Sequence, residues 1–360
     1  MKTSRIPTDA LRAWSTALLT AAGLRADASE LVADTLVAAD LRGVSSHGVY
    51  RLPIYVARLE RGLLDRDPRP SVVSRTGAVA VIDAGHAPGQ VAAVAAVDLA
   101  MELARDHGVG MTLVRRSSHY GAAAYFVLRA ARRGFVAVTM SNVEPDVVPF
   151  GGATAALGTN PLAFAAPAGD GVEPVVLDMA TSQVAMGKVL RARVTGDPLE
   201  PGWAVDAEGR STTDPHAARA VVPLGGPKGY GLALMVELLA GALSGSGTCS
   251  DIHRMYDDWD EPQDVGHMFL VIDPGATVGS AAFAAAAANV VGVLKATPPA
   301  PGVERVVVPG ELEAERERSA ARVGIDLPVA LVDELRGLGA RLGVEAPLDA
   351  SRAHRTGASG

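Results

Sequence analysis

Cysteine is nearly absent from this chain: Cys249 is the only one. A disulfide framework within the chain is thereby excluded, which fits a reducing, cytoplasmic setting. No His–Asn signature surrounds Cys249, so it reads as a free thiol and not as a nucleophile. Aromatic residues are scarce at 4%, although apolar residues reach 48%. The core must therefore be built from Ala, Val and Leu, small side chains that suit close helix–sheet packing. The net charge is −7, and Lys and Arg are scattered with no basic arm. Nucleic-acid binding through a charged face is disfavoured by that pattern. Long hydrophobic runs are lacking too. The most apolar stretch, "GYGLALMVELLAGALSG" at 229–245, contains Glu237 and is too short for a membrane span, so it reads as a buried helix. The start, "MKTSRIPTDALRAW", has no apolar segment of the secretory kind, so no signal peptide is expected.

Several familiar signatures are also missing. A serine hydrolase of the α/β type needs G-x-S-x-G on a strand-to-helix turn. "GVSSHG" at 43–48 has other spacing and follows a helical pattern, and the adjacent Ser46 and His47 look poorly placed to bond each other. The eight histidines form no H-E-x-x-H pair. "YDDWDEPQD" at 256–264 lacks the glycine-centred spacing of a calcium loop and reads as a solvated acidic loop, so no metal is expected. No G-x-G-x-x-G follows the first strand, and no Walker sequence surrounds Lys228.

What is present alternates between helical and strand patterns. Helices are expected over 8–23 and 27–41, with Thr8 and Asp27 or Ser29 as caps, and a short helix over 50–62. Strand, turn and strand follow at 72–83, then a long Ala-rich helix stopped by Gly108. Strand, helix and strand succeed one another from 109 to 142, with the helix over 119–134. Two further strands are expected at 161–168 and 174–179, a short helix at 181–191, and loops through 194–226. A helix over 228–244, a strand over 266–273, a helix over 278–296, a strand in "ERVVVPG" (304–310) and two helices to 342 complete the reading. Such alternation argues for an α/β layer structure.

Against this frame the stretch "GVSSHGVYRLP" stands out. If the chain after Gly48 is helical, His47 and Arg51 lie on one face. Arg offers a two-pronged grip on a carboxylate, and His exchanges a proton near neutral pH. Together they suit a 2-oxo acid reductase, with a polar helix-capping loop as the alternative. His119 in "SSHYGAAAY", "SNVEPDVVPFGG" and "GTNP" all fall at strand ends, where α/β proteins build shared clefts. Glycines around Lys228 in "GGPKGYG" open a helix and could hold a phosphate, or could serve close packing only.

With these residues assembled, the chain resembles the lactate/malate dehydrogenase-like family that is distinct from the Rossmann-fold lactate dehydrogenases. Ureidoglycolate and sulfolactate dehydrogenases, diketogulonate reductase and piperideine-2-carboxylate reductases belong to it. The carrying stretches are "RGVSSHGVYRLPIY", "SSHYGAAAYF", "VVPFGG", "GTNPLAFAAP", "LDMATSQVAMGKV", "GGPKGYGLALMVELLAG", "GHMFLVIDP" and "VPGE", between about residues 8 and 345. The resemblance implies an α/β, mixed-sheet, non-Rossmann NAD(P)-binding fold of the sulfolactate dehydrogenase type with a helical subdomain. That subdomain would span 1–70 and 275–349, the NAD(P)-binding region 71–274, and a disordered tail 350–360. It further implies a homodimer, NAD or NADP as cofactor, and hydride transfer to or from a small 2-oxo/2-hydroxy acid.

By the same resemblance, His47 is the proton donor or acceptor with Ser46 beside it, and Arg51 and Thr159 contact substrate. His119 lies at the cofactor and is the proton acceptor in ureidoglycolate dehydrogenases. Tyr120, Gly121, Leu177, Asp178, Met179, Lys228, Gly229, Pro309, Gly310 and Glu311 contact the dinucleotide. The sequence departs from the family twice. Ser45 stands where many relatives have an aspartate, and Lys188 stands near where cyclic-imine reductases carry an acid. The second departure favours hydroxy-acid over cyclic imino-acid chemistry. A non-catalytic dinucleotide-binding protein is the rival from another class, and the intact Ser46, His47 and Arg51 argue against it.

Overall fold

The computed structural model describes residues 2–169 and 171–347, so the 350–360 tail lies outside the described residues. The elements run in order as β1 (Thr3–Ile6), α1 (Thr8–Ala21), α2 (Ala26–Leu41), α3 (Leu52–Glu60), β2 (Ser71–Thr76), β3 (Val79–Asp83), α4 (Gly89–His107) and β4 (Val109–Ser117). Next come α5 (Ala124–Ala131), β5 (Val136–Ser141), β6 (Leu162–Ala166), β7 (Val175–Met179), α6 (Met186–Thr195), β8 (Ala204–Val205), β9 (Ser211–Thr212) and β10 (Ala220–Val221). The chain continues with α7 (Pro227–Val236), β11 (Val265–Ile272), α8 (Ser280–Lys295), α9 (Glu311–Val323), β12 (Ile325–Pro328) and α10 (Val329–Leu342).

One seven-stranded sheet, in the order β2-β3-β4-β11-β5-β6-β7, organises the molecule. Only β3 and β4 pair in parallel; every other neighbour is antiparallel. This mixed sheet differs from the largely parallel sheet of a Rossmann domain, which accounts for the missing glycine fingerprint. Alanine decides how α4 packs. Ala92, Ala93, Ala96, Ala100 and Ala104 are buried on its sheet-facing side. A side chain at Gly110 of β4 would lie 2.0 Å from the Ala100 carbonyl oxygen, so helix and strand touch backbone to backbone there. Gly108 ends the helix in the left-handed conformation (φ 80°), as its position in the sequence requires.

A second core joins the two ends of the chain. Leu11, Trp14, Leu18 and Leu19 of α1, at helical spacing, meet Val32, Leu36 and Val37 of α2, Leu52, Val56 and Leu59 of α3, and Leu331, Leu335 and Leu338 of α10. β1 pairs antiparallel with β12, tying Thr3–Ile6 to Ile325–Pro328. Helix α8 stands apart: none of its residues is buried.

Several expectations are corrected. The "ERVVVPG" stretch forms no strand, because its backbone runs beside β7 with a single bond, Val176 N–H to Pro309 O at 3.1 Å. The pair β1–β12 was invisible to a local reading, since its partners are more than 300 residues apart. Within 194–226 a small three-stranded sheet, β10-β8-β9, interrupts the loops. The helix expected from 119 begins only at Ala124. Thr8, Asp27 and Ser29 cap no helix with their side chains; α1 and α2 begin after Pro7 and Arg25.

Candidate active site

Topology gathers the strand-end loops at one edge of the sheet. β11 runs antiparallel to both β4 and β5, so the segment entering β11 meets the segments leaving them: Val265 lies opposite Ser117, and His267 opposite Ser141. β7 leaves at this edge while β6 enters from it, with Met179 opposite Leu162. The result brings together His119 after β4, Asn142–Asp146 after β5, Thr159 before β6, Asp178–Thr181 at the end of β7, and the segment 253–264 before β11. Buried His267 ties β11 to both of its neighbours, its Nδ1 sharing a hydrogen bond with Ser141 Oγ of β5 and its Nε2 with Ser117 Oγ of β4, both at 2.9 Å.

The 43–51 stretch approaches this edge from the helical side. It is two short 3-10 turns, Ser45–His47 and Val49–Arg51, broken at Gly48 (ψ −154°). His47 and Arg51 are therefore not one turn apart on a continuous helix, as spacing implied. Gly48 is required here because a Cβ would sit 2.0 Å from Oδ1 of Asp40. The Asp40 carboxylate accepts from Val49 N–H at 2.8 Å, and burial lifts its titration to about 7. The adjacent Ser46 and His47 do bond, against expectation: Oγ and Nδ1 are 2.9 Å apart, because the tight turn folds one side chain back over the next. Arg51 folds back too, its Nε–H donating to Ser46 O at 2.8 Å. Ser46, His47 and Arg51 thus form one unit.

His47 stacks on His119, with ring centroids 5.5 Å apart and planes at 22°. His119 Nδ1 shares a 2.7 Å hydrogen bond with the Tyr55 hydroxyl, which accepts from Gln90 Nε2 at 2.9 Å. The Tyr55 hydroxyl thus sits between Gln90 and the His119 ring and fixes that ring's orientation. Burial and the nearby Arg51 cation hold His47 down to about 4. Burial, Arg51 and His47 place His119 well below the ordinary histidine value. Both rings are neutral at pH 7 in the free protein.

Among the residues that the resemblance gives to the dinucleotide, Asp178 is linked to the His119 loop. Asp178 Oδ2 accepts from Ala124 N–H at 2.8 Å, joining β7 to the loop of His119, Tyr120 and Gly121. Thr181 donates through both N–H (2.9 Å) and Oγ1 (3.0 Å) to Thr159 O. Thr181 O in turn accepts from Leu224 N–H at 2.9 Å, and a Cβ on Gly229 would lie 2.6 Å from it. The first turn of α7 is thereby pressed against the end of β7. Lys228 on that turn is exposed and has no ion-pair partner among the described residues. A free ammonium at a helix N-terminus fits a phosphate. Gly310 (φ 87°) lies against Val176, whose N–H donates to Pro309 O at 3.1 Å. Two side chains in the set turn elsewhere. Glu311 pairs with Lys295 and Arg305, and Tyr120 is packed between His267 (4.5 Å) and Phe126 (5.1 Å). Lys188 lies over the Trp203 ring at 5.3 Å. Among the described residues no cluster of three or more His, Cys, Asp or Glu could hold a metal.

Tyr55, Gln90, His267, Tyr256 and Gln263 escaped the sequence reading. Tyr55 alone had a local signal, lying one helical turn beyond Arg51 in "YRLPIY". The rest reach the site only through strand pairing and loop packing.

The two stacked histidines and Arg51 thus stand at one end of a mixed sheet, beside the loops that follow β4 and β5. The chain belongs to the malate/L-lactate dehydrogenase family, whose pattern it matches over residues 6–336. It is 41% identical over 306 residues to a ureidoglycolate dehydrogenase (NAD(+)) of Escherichia coli K12, covering 85% of this chain and 87% of that protein. The structure of sulfolactate dehydrogenase from Methanocaldococcus jannaschii superposes with a TM-score of 0.88 at 32% identity, covering 96% and 98% of the two chains. A delta1-piperideine-2-carboxylate reductase from Pseudomonas syringae does so at 0.84 and 32%, covering 93% and 100%. Names among the relatives carry both NAD(+) and NADP(+).

Proposed function

We propose that this protein interconverts a small 2-hydroxy acid and its 2-oxo acid with NAD or NADP. The carrying observation is the His47–His119 stack beside Arg51, on the loops next to the end of β7. When bound, the nicotinamide supplies or takes the hydride at C4. Arg51 holds the substrate carboxylate through its remaining N–H groups. His47, oriented by Ser46, takes the hydroxyl proton as the substrate loses hydride from C2, and returns it in reduction. His119, set by Tyr55, flanks the same oxygen, and Thr159 borders the substrate. Lys228 and the first turn of α7 hold phosphate.

A panel of 2-oxo acids with NADH and NADPH tests this reading, with piperideine-2-carboxylate as the cyclic-imine comparison. His47→Asn is expected to cut turnover by about 100-fold or more while leaving cofactor affinity unchanged. Turnover that survives in His47→Asn and collapses in His119→Asn moves the proton to His119. No NAD(P)H oxidation across the panel supports a protein that only binds dinucleotide.

The exposed apolar side chains of Leu234, Leu238 and Leu243 on and beyond α7, and of Val290, Val293 and Leu294 on α8, support a homodimer. Sedimentation at the mass of one 36.9 kDa chain would contradict it. Among the described residues no helix is long and apolar enough to cross a membrane. The lone thiol fits the cytoplasm, and fractionation of cells checks that placement.

A further inference from the structure

The acidic segment before β11 does more than face solvent. Arg58 of α3, only 1% exposed, donates from its guanidinium to the carbonyl oxygens of Met255 (3.1 Å), Asp258 (2.9 Å) and Glu261 (3.1 Å). No carboxylate lies within ion-pair distance of it among the described residues; the segment's backbone carbonyls take its hydrogen bonds, and the Trp259 ring lies 5.9 Å from its guanidinium. Arg61 lies 4.3 Å over the Trp259 ring on the same side. The segment is thus strapped to the helix that follows Arg51. Asp257, Asp260 and Glu261 are exposed, as a solvated acidic loop requires, whereas Asp258 pairs with His253 and Asp264 accepts from Ser246 Oγ.

The strap carries two side chains into the site. Tyr256 Oη accepts from Arg51 Nη1 at 2.5 Å, with the guanidinium 5.7 Å from the ring. Gln263 Oε1 accepts from His119 N–H at 3.2 Å. Glu144 joins the two ends, accepting from Met255 N–H and from Gln263 Nε2, each at 3.3 Å. Arg51 therefore has two outer partners, Ser46 O and Tyr256 Oη, and both are neutral acceptors. That choice has a chemical consequence. A carboxylate partner would neutralise Arg51 and compete with an incoming substrate carboxylate. A phenol hydroxyl orients the fork while leaving its charge and its remaining N–H groups available.

We propose that Tyr256 is a positioning residue for substrate binding: it fixes the Arg51 guanidinium to receive a carboxylate, and the strap holds that grip in register with the His119 loop. The inference rests on Arg51 as the carboxylate-binding residue. Tyr256→Phe keeps the ring and removes the hydroxyl, at a position 42% exposed, where folding is not at stake. KM for the 2-oxo acid is expected to rise about five- to tenfold, with kcat within about twofold and KM for NAD(P)H unchanged, as loss of one orienting hydrogen bond to a charged group predicts.

Arg51→Lys in parallel, and the double variant, separate the causes. If Arg51→Lys and Tyr256→Phe each raise KM and Tyr256→Phe has no further effect in the Arg51→Lys background, the inference holds. If Arg51→Lys raises KM but Tyr256→Phe alone changes nothing, the inference falls and the role of Arg51 stands. If Tyr256→Phe raises KM equally with or without Arg51, or lowers kcat with KM unchanged, Tyr256 does not act through Arg51 and the inference is overturned. If Arg51→Lys leaves KM unchanged, the reading of Arg51 fails first and takes the inference with it.

Discussion

The proton carrier should show itself in the pH dependence of reduction. The free protein holds His47 down to about 4, first through burial and then through Arg51. Reduction of a 2-oxo acid needs that ring protonated, and kcat/KM for the 2-oxo acid reports the enzyme form that binds it, here the one loaded with NAD(P)H. A group titrating near 4 is protonated in only about one molecule in a thousand at pH 7. Each unit of acidification then multiplies kcat/KM tenfold, with no plateau until about pH 4. Between pH 7.5 and 5 the rise should be about 300-fold, whereas an ordinary histidine near 6.5 would give about tenfold and level off. The difference amounts to about 3 kcal/mol of discrimination against the imidazolium. The opposite reaction needs the neutral ring and should be flat over this range. The assay is initial-rate kinetics at limiting 2-oxo acid with saturating NAD(P)H, between pH 5 and 7.5. A tenfold rise that levels near pH 6.5 would refute the argument from burial and Arg51. His119 is held low by the same causes, so the profile alone fits either ring; a flat profile in His47→Asn assigns it to His47.

Two further outcomes follow from the geometry. Gly48→Ala forces a methyl into the Asp40 carboxylate, and should lower stability by about 1–3 kcal/mol in urea denaturation while cutting turnover at least tenfold; an active, equally stable variant would show that the loop yields freely. Lys228→Ala should weaken NAD(P)H binding about tenfold at low salt and less at high salt, measured by fluorescence titration. Unchanged affinity would remove Lys228 from the phosphate site.

The fold class was legible because periodicity is local. Leu11, Trp14, Leu18 and Leu19 announce a buried helical face, Gly108 announces its helix end, and the strand-rich runs announce a layer of sheet. The order of that sheet was not legible. β11 inserts between β4 and β5, and β1 finds β12 across almost the whole chain, through pairings that leave no local periodic trace. The proton exchanger and the carboxylate grip, His47 and Arg51, could be named because they lie five positions apart inclusive in one stretch, even though the turn between them proved broken at Gly48.

By itself, the sequence determined which chemistries were available: one thiol, no metal-binding spacing, no phosphate loop of the Rossmann kind, and a His–Arg unit beside a serine. Only the tertiary structure decided which groups meet. It stacks His47 on His119, sets Tyr55 and Gln90 behind that ring, and brings Tyr256 to Arg51 from about 200 residues away. The physical reason is that hydrogen bonds and burial act through space. A residue type records what a side chain can do; the antiparallel entry of β11 and the clasp of Arg58 determine what stands next to it.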